Sequence, residues 1–192
     1  MREFIAGTTV SPRFDLRVGE TNLEVSTILD LIQMYDVTTF IEVGVHEGGL
    51  TEHILTHFPG INYVGIEIDE VLVNHNIKSL VTSLGSRVIY GDCMAKSTLD
   101  LVRSYMSGKT LIYCDNGNKK VEITLYCKLL NIGDILLTHD YMDGIRVPKD
   151  VNLDYNREVT PEDILFLDIN PNFMRLPEEQ FKETRLVGWV TI

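Results

Sequence analysis

The chain is poor in three things. Cysteine occurs only at positions 93, 114 and 127, and no two form a C-x-x-C pair, so neither a disulfide framework nor a zinc knuckle is written into it. Each cysteine falls in an apolar segment, and buried reduced thiols are the expectation, as in a cytoplasmic protein. Long apolar runs are missing as well. No stretch approaches the ~20 residues that span a bilayer, and no basic region followed by a long apolar segment opens the chain, so membrane insertion and secretion are unsupported. Basic residues are scarce: 17 Lys and Arg stand against 28 Asp and Glu, a formal net charge of -11. That balance disfavours nucleic acid and anionic membrane as partners and leaves a small molecule or a protein. Oligomeric state is left open, a homo-oligomer included.

What is present is a rhythm of strands and helices. A chain of 192 residues is most simply one domain, burying roughly 70% of the surface its unfolded form exposes. Its organising stretch is Thr38-Thr39-Phe40-Ile41-Glu42-Val43-Gly44-Val45-His46-Glu47-Gly48-Gly49, an apolar run of strand length that collapses into a glycine turn and then opens a helix over residues 50–58. The N–H groups at that helix start are open to a polar or anionic ligand. Residues 1–21 read as an irregular arm over the domain and 22–35 as a helix. Strands are expected at 61–69, 87–90, 109–114 and 134–138, with helices at 70–84, 95–106 and 121–130 between them. Five strands alternating with helices imply an α/β, doubly wound, mostly parallel sheet covered on both faces. Residues 142–183 break the rhythm with one short helix, 161–167 after the cap Thr160, and read as a lid or substrate-facing insertion. Residues 186–192 close the chain as an antiparallel strand.

Five acidic residues stand at the strand ends: Glu42, Glu67, Asp92, Asp115 and Asp140. They are expected to line one rim, the edge at which open α/β sheets bind ligands. Glu67, ending the second strand of this series, is placed to accept hydrogen bonds from the two hydroxyls of a ribose. The glycine turn narrows the ligand. A dinucleotide fingerprint needs glycine where His46 stands, and a phosphate-binding P-loop needs a lysine after its last glycine, where Leu50 stands. A ligand with an adenosine and a polar, non-pyrophosphate group suits it better.

Glu42-x-Gly44-x-x-x-Gly48, then Gly65-Ile66-Glu67, then Gly91-Asp92 resemble the successive motifs of class I S-adenosylmethionine-dependent methyltransferases. Asp115-Asn116-Gly117-Asn118, Ile132-Gly133-Asp134 and His139-Asp140-Tyr141 are similar to the pattern of the small branch that includes O-methyltransferase-like and cephalosporin-hydroxylase-like proteins. The likeness covers residues 38–141 in the right order. It implies a Rossmann-like fold and a single methyltransferase-like domain over residues 1–192. By the same likeness Glu42, Gly44, Val45, His46 and Gly48 surround the methionine part of the cofactor. Glu67 and Ile68 hold its ribose, Asp92 and Cys93 border the adenine, and Asp115 completes the cleft. The resemblance further implies that Asp115 and Asp140 bind Mg2+, which holds the acceptor's oxygens.

Two positions depart from that pattern, Asn116 where glycine is usual and Asn118 where histidine is usual. Losing an imidazole removes a group that titrates near pH 7, and His139 becomes the candidate base beside Asp115 and Asp140. The implied reaction is methyl transfer to a small-molecule acceptor, through oxygen. A cofactor-binding or assembly module without catalysis is the alternative, and a nicotinamide-dependent oxidoreductase is disfavoured by His46. Other features promise less. His53 and His57 share a helix face, but Ile54 stands where a zinc protease has glutamate. Lys119-Lys120 reads as a charge pair at a helix start without specificity. Phe166, Phe173 and Trp189 are expected to pack the C-terminal segment.

Overall fold

The structure is a computed structural model that describes residues 8–142 and 158–192. Its centre is a run of parallel strands, β3 (Thr39–Val43), β4 (Asn62–Glu67), β5 (Arg87–Tyr90), β6 (Thr110–Cys114) and β7 (Ile135–Thr138). Ahead of them come β1 (Thr8–Val10), β2 (Arg17–Thr21) and α1 (Asn22–Met34). Between them lie α2 (Gly49–His57), α3 (His75–Ser83), α4 (Lys96–Tyr105) and α5 (Lys119–Tyr126), and after them α6 (Pro161–Asp168), β8 (Phe173–Arg175) and β9 (Val187–Thr191). The main sheet runs β5-β4-β3-β6-β7-β9-β8, with β9 antiparallel to both β7 and β8.

Alternation along each strand sorts the core into two layers. Phe40, Tyr63, Leu111, Tyr113, Ile135 and Leu137 face α1, α2 and α3, while Ile41, Val43, Val64, Ile66, Ile112, Cys114 and Leu136 face α4, α5 and α6. Every residue of β3 and of β6 is buried, as strands covered on both faces require. Among the described residues no helix is long and apolar enough to cross a membrane.

The strands expected from sequence match β3 to β7 and β9, with ends moved by a residue or two. Larger differences have local causes. The helix expected over 70–84 begins only at His75, where the Asn74 side chain accepts the Asn76 N–H at 2.9 Å. α5 begins two residues early because Asn118 caps it, and it tightens into a 3-10 turn, Cys127–Leu129. The arm is ordered rather than irregular from residue 8 on: β1 pairs antiparallel with β2, and Thr21 then caps α1 in a reciprocal capping box with Glu24. β8 escaped the sequence because three residues carry too little period. The segment expected as a lid falls partly on 143–157, outside the described residues. Its described remainder includes α6, whose Ile164 and Leu167 are wholly buried beside Trp189 in the second layer.

Candidate functional site at the carboxyl ends of the strands

β3 lies between β4 and β6, and the chain leaves β3 for α2 on one face and β6 for α5 on the other. The chain thus departs to opposite faces from neighbouring strands, the switch point at which open α/β sheets form a ligand crevice. The turn after β3 forms one wall. Gly44 adopts φ 102° and Gly48 φ 91°, and His46 sits between them at φ 52°. A β-carbon on Gly44 would stand 2.9 Å from the Asp115 carbonyl oxygen and 3.1 Å from the Asn116 Cα, so glycine is required for the turn to close against the loop after β6.

Glu67 faces this turn. Its Oε2 accepts the His46 N–H at 2.8 Å, and its Oε1 accepts Ile68 N–H at 2.8 Å and Asp69 N–H at 3.2 Å. The carboxylate is thus held by three backbone donors, and Oε2, with one bond among the described residues, keeps capacity for another donor. Val45 is buried beneath the turn and Ile68 is exposed beside the carboxylate. Asp92 is exposed, its Oδ1 accepting the Met94 N–H. Cys93 is buried, and its Sγ accepts the Asn116 side-chain amide at 3.2 Å. The loops after β3, β4, β5 and β6 therefore meet at this switch point. Of the thiols, Cys93 and Cys114 are buried as expected, whereas Cys127 is half-buried.

Glu42 does not reach the rim. Alternation turns it into the first layer, 2% exposed, where its Oε2 accepts both the Tyr63 hydroxyl at 2.6 Å and the Thr51 hydroxyl at 2.9 Å. Glu42 pairs across the strands with Gly65, whose missing side chain lets Tyr63 lean along β4 to reach it. Burial pushes the Glu42 carboxyl up to about 8, so at neutral pH it stays protonated.

Below the other wall lies a cluster of six charged groups. Lys119 Nζ donates to Asp140 Oδ2 at 2.8 Å and to the Asn116 carbonyl at 3.0 Å, and stands 3.2 Å from Asp115 Oδ1. Arg185 reaches Asp140 Oδ1 at 2.6 Å, and its backbone N–H donates to Glu24 Oε1 at 2.9 Å. His139, 3% exposed, points Nδ1 at Asp115 Oδ1 (3.1 Å) and Nε2 at Glu24 Oε1 (3.3 Å). Burial opposes charge on His139, but Asp115, Asp140 and Glu24 override it and hold its imidazole well above the usual range. Burial likewise opposes charge on Glu24, and the bond and charge of His139 bring its carboxyl well below the usual range. Against burial, His139, Lys119 and Arg185 lower Asp140 to about 2. Asp140 itself adopts φ 56°, a left-handed conformation that aspartate tolerates better than most residues. Behind the cluster, Glu20 accepts the Tyr113 hydroxyl at 2.9 Å and is raised to about 7 by burial and then by Asp115.

The structure thus brings Asp115, His139 and Asp140 together, their candidate ligand atoms within 4.8 Å of one another. Two carboxylates at that spacing are a divalent-cation donor set, yet the space between them is taken by an ammonium. Three participants escaped the sequence reading: Glu24, Lys119 and Arg185. Lys119 did leave a signal. It is the first residue of α5, the end of a helix that favours anions, and a cation there implies carboxylates nearby. The loop carrying Asp115 is fixed by Glu122, whose carboxyl accepts the N–H groups of Asn116 at 3.2 Å and Asn118 at 3.1 Å.

No family model matches the chain, and no curated protein matches it in sequence. Solved structures do match in shape. A Bacillus cereus O-methyltransferase in complex with S-adenosylhomocysteine is 13% identical at a TM-score of 0.63, the match covering 94% of this chain and 84% of that one. TomG, an O-methyltransferase of tomaymycin synthesis from Streptomyces achromogenes, solved with S-adenosylmethionine, is 13% identical at 0.63, covering 93% and 82%. An apo structure of CmcI is 14% identical at 0.64, covering 95% and 76%, and a CmcI form with Mg and S-adenosylmethionine is 18% identical at 0.52, covering 66% and 56%. The chain thus has the Rossmann-like fold of these O-methyltransferases.

Proposed function

We propose that the protein is an S-adenosylmethionine-dependent methyltransferase acting on a small-molecule acceptor through oxygen. The observation that supports this best is the pairing of the Gly44–Gly48 turn with the Glu67 carboxylate across 2.8 Å at the sheet's switch point. That pairing puts a glycine cradle and a sugar-binding acceptor in one crevice. Glu67 Oε2 would take a ribose hydroxyl, exposed Ile68 would lie against the adenosine, and Asp92 with Cys93 would border the base. Gly44, Val45, His46 and Gly48 would surround the amino-acid end, with Glu42 supporting the turn from beneath. S-adenosylmethionine, when bound, supplies a methyl group on a positively charged sulfur, which suits an acidic chain.

The chain's own part is chiefly orientation. Holding two reactants in line supplies roughly 7–11 kcal/mol of a barrier. Asp115 and Asp140 are the carboxylates of the cluster nearest the surface, half-buried where His139 is covered, and they would receive the acceptor's hydroxyl and its proton. His139, covered between Asp115 and Glu24, orients those carboxylates through its two ring nitrogens. Weak bases of this kind call for an acceptor whose hydroxyl is already acidic, such as a phenol or enol. The buried free thiols Cys93 and Cys114 and the net charge of -11 suit a cytoplasmic setting.

Calorimetric titration with S-adenosylmethionine and with its demethylated product tests the reading. Both should bind, and Glu67→Ala should weaken each at least tenfold, about 1.4 kcal/mol or more, the loss of charge-assisted hydrogen bonds. If neither ligand binds the wild-type chain, the reading fails. The internal pairing of every cation in the cluster favours a second reading, a cofactor-binding module without turnover. Labelled cofactor with a panel of acidic hydroxyl acceptors separates the two.

A further inference from the structure

Lys119 is an odd lysine. It is 5% exposed, it sits at the first residue of a helix where the aligned peptide dipoles repel a cation, and burial of an unpaired ammonium is prohibitive. The compensation is complete: three N–H donors meet three oxygens, Asp140 Oδ2 at 2.8 Å, Asn116 O at 3.0 Å and Asp115 Oδ1 at 3.2 Å. Two carboxylates and a backbone carbonyl around one cation are the donors a hard divalent ion uses. Here they stand at hydrogen-bonding distance from nitrogen, well beyond the roughly 2.0–2.6 Å of Mg2+ or Ca2+ coordination.

The surrounding charge supports the same conclusion. Beside Lys119, Arg185 stands 2.6 Å from Asp140 Oδ1 and 3.6 Å from Glu24 Oε1. A divalent ion added here would face two cations, Lys119 and Arg185, and find its oxygens engaged. Remove Lys119, and two carboxylates are left facing each other with one positive charge missing.

We propose that the Lys119 ammonium stands where a divalent cation would bridge Asp115 and Asp140, so that this centre holds its carboxylates in register without metal and becomes a divalent-cation site when Lys119 is removed. Lys119 is then a positioning residue, acting on an acceptor through the two carboxylates. Its bearing on catalysis rests on the methyltransferase reading; its bearing on cation binding does not.

The experiment titrates the full-length chain with manganese(II) chloride, reading free Mn2+ by electron paramagnetic resonance and the melting temperature in parallel. Wild type should take up no stoichiometric Mn2+ at millimolar concentration and show no Mn2+-dependent rise in melting temperature. Lys119→Ala should bind one Mn2+ at least tenfold more tightly than wild type and melt at higher temperature with Mn2+ than without. The double variant with Asp115→Asn should lose both effects. Should Lys119→Ala not fold even with Mn2+, Lys119→Gln is read in the same two ways. Stoichiometric binding by wild type as tight as by the variant overturns the proposal, as does a folded variant that binds none. Where the chain also turns over S-adenosylmethionine, wild-type turnover should be unchanged by EDTA. A chain that binds no S-adenosylmethionine but still gains a Mn2+ site on Lys119→Ala refutes the methyltransferase reading alone.

Discussion

Replacing Glu42 by glutamine should flatten the dependence of stability on pH. The carboxyl is raised by burial from its ordinary 4.5 to about 8, so between those values the native chain keeps a proton that the unfolded chain releases. The stability this group contributes is therefore fully present below about pH 4.5 and is lost as pH rises to about 8. Each pH unit in that window is worth about 1.4 kcal/mol. From pH 5 to 7, Glu42 alone should remove about 2.5 kcal/mol. Glu20 and Glu122, both raised to about 7 with burial as the main cause, add slopes of the same sign. Glutamine keeps the hydrogen bonds, because Tyr63 and Thr51 both donate to the one oxygen, Oε2, that an amide oxygen can replace. Urea unfolding followed through Trp189, the single tryptophan and wholly buried, gives stability at each pH. The variant should gain about 2.5 kcal/mol on the wild type between pH 5 and pH 7. Parallel curves for the two proteins would refute the reasoning, since they would mean that Glu42 is ionised in the native state.

Gly44→Ala should cost about 2–4 kcal/mol, from a left-handed backbone that a side chain resists and from contact with Asp115 and Asn116 backbone. Because that contact joins the two walls of the crevice, cofactor affinity measured by calorimetry should fall along with the melting temperature; an unchanged melting temperature would contradict the packing. Asp134→Ala should cost about 2–4 kcal/mol, since this buried carboxylate accepts the Thr110 N–H at 2.8 Å and the Asn131 N–H at 2.7 Å, and orphaned buried donors cost about 1–3 kcal/mol each. Denaturant unfolding of the variant measures it, and a loss below 1 kcal/mol would mean that water replaces the carboxylate.

Much of the molecule was legible in the chain because the governing signals are local. Alternating apolar residues, the glycines of the turn after β3 and the cap at Thr160 all act within a few residues, and they set five parallel strands, their helices and the placing of Glu67 beside Gly44. What escaped shows where local signals end. The three residues of β8 are a strand only because β9 offers them an edge. The early start of α5 depends on a cap and on Lys119 finding carboxylates from two other segments.

The sequence by itself determined the layers, the order of the acidic residues along the chain and the turn that needs glycine, since periodicity and φ preference are written residue by residue. Only the tertiary structure decided the fate of each charge. Glu42 went inward to Thr51 and Tyr63, His139 lodged between Glu24 and Asp115, and Lys119 settled between Asp115 and Asp140. The energy of a buried charge is set by which opposite charges fold against it, and Glu24, Asp140 and Arg185 come from segments far apart in the chain that nothing short of the fold brings together.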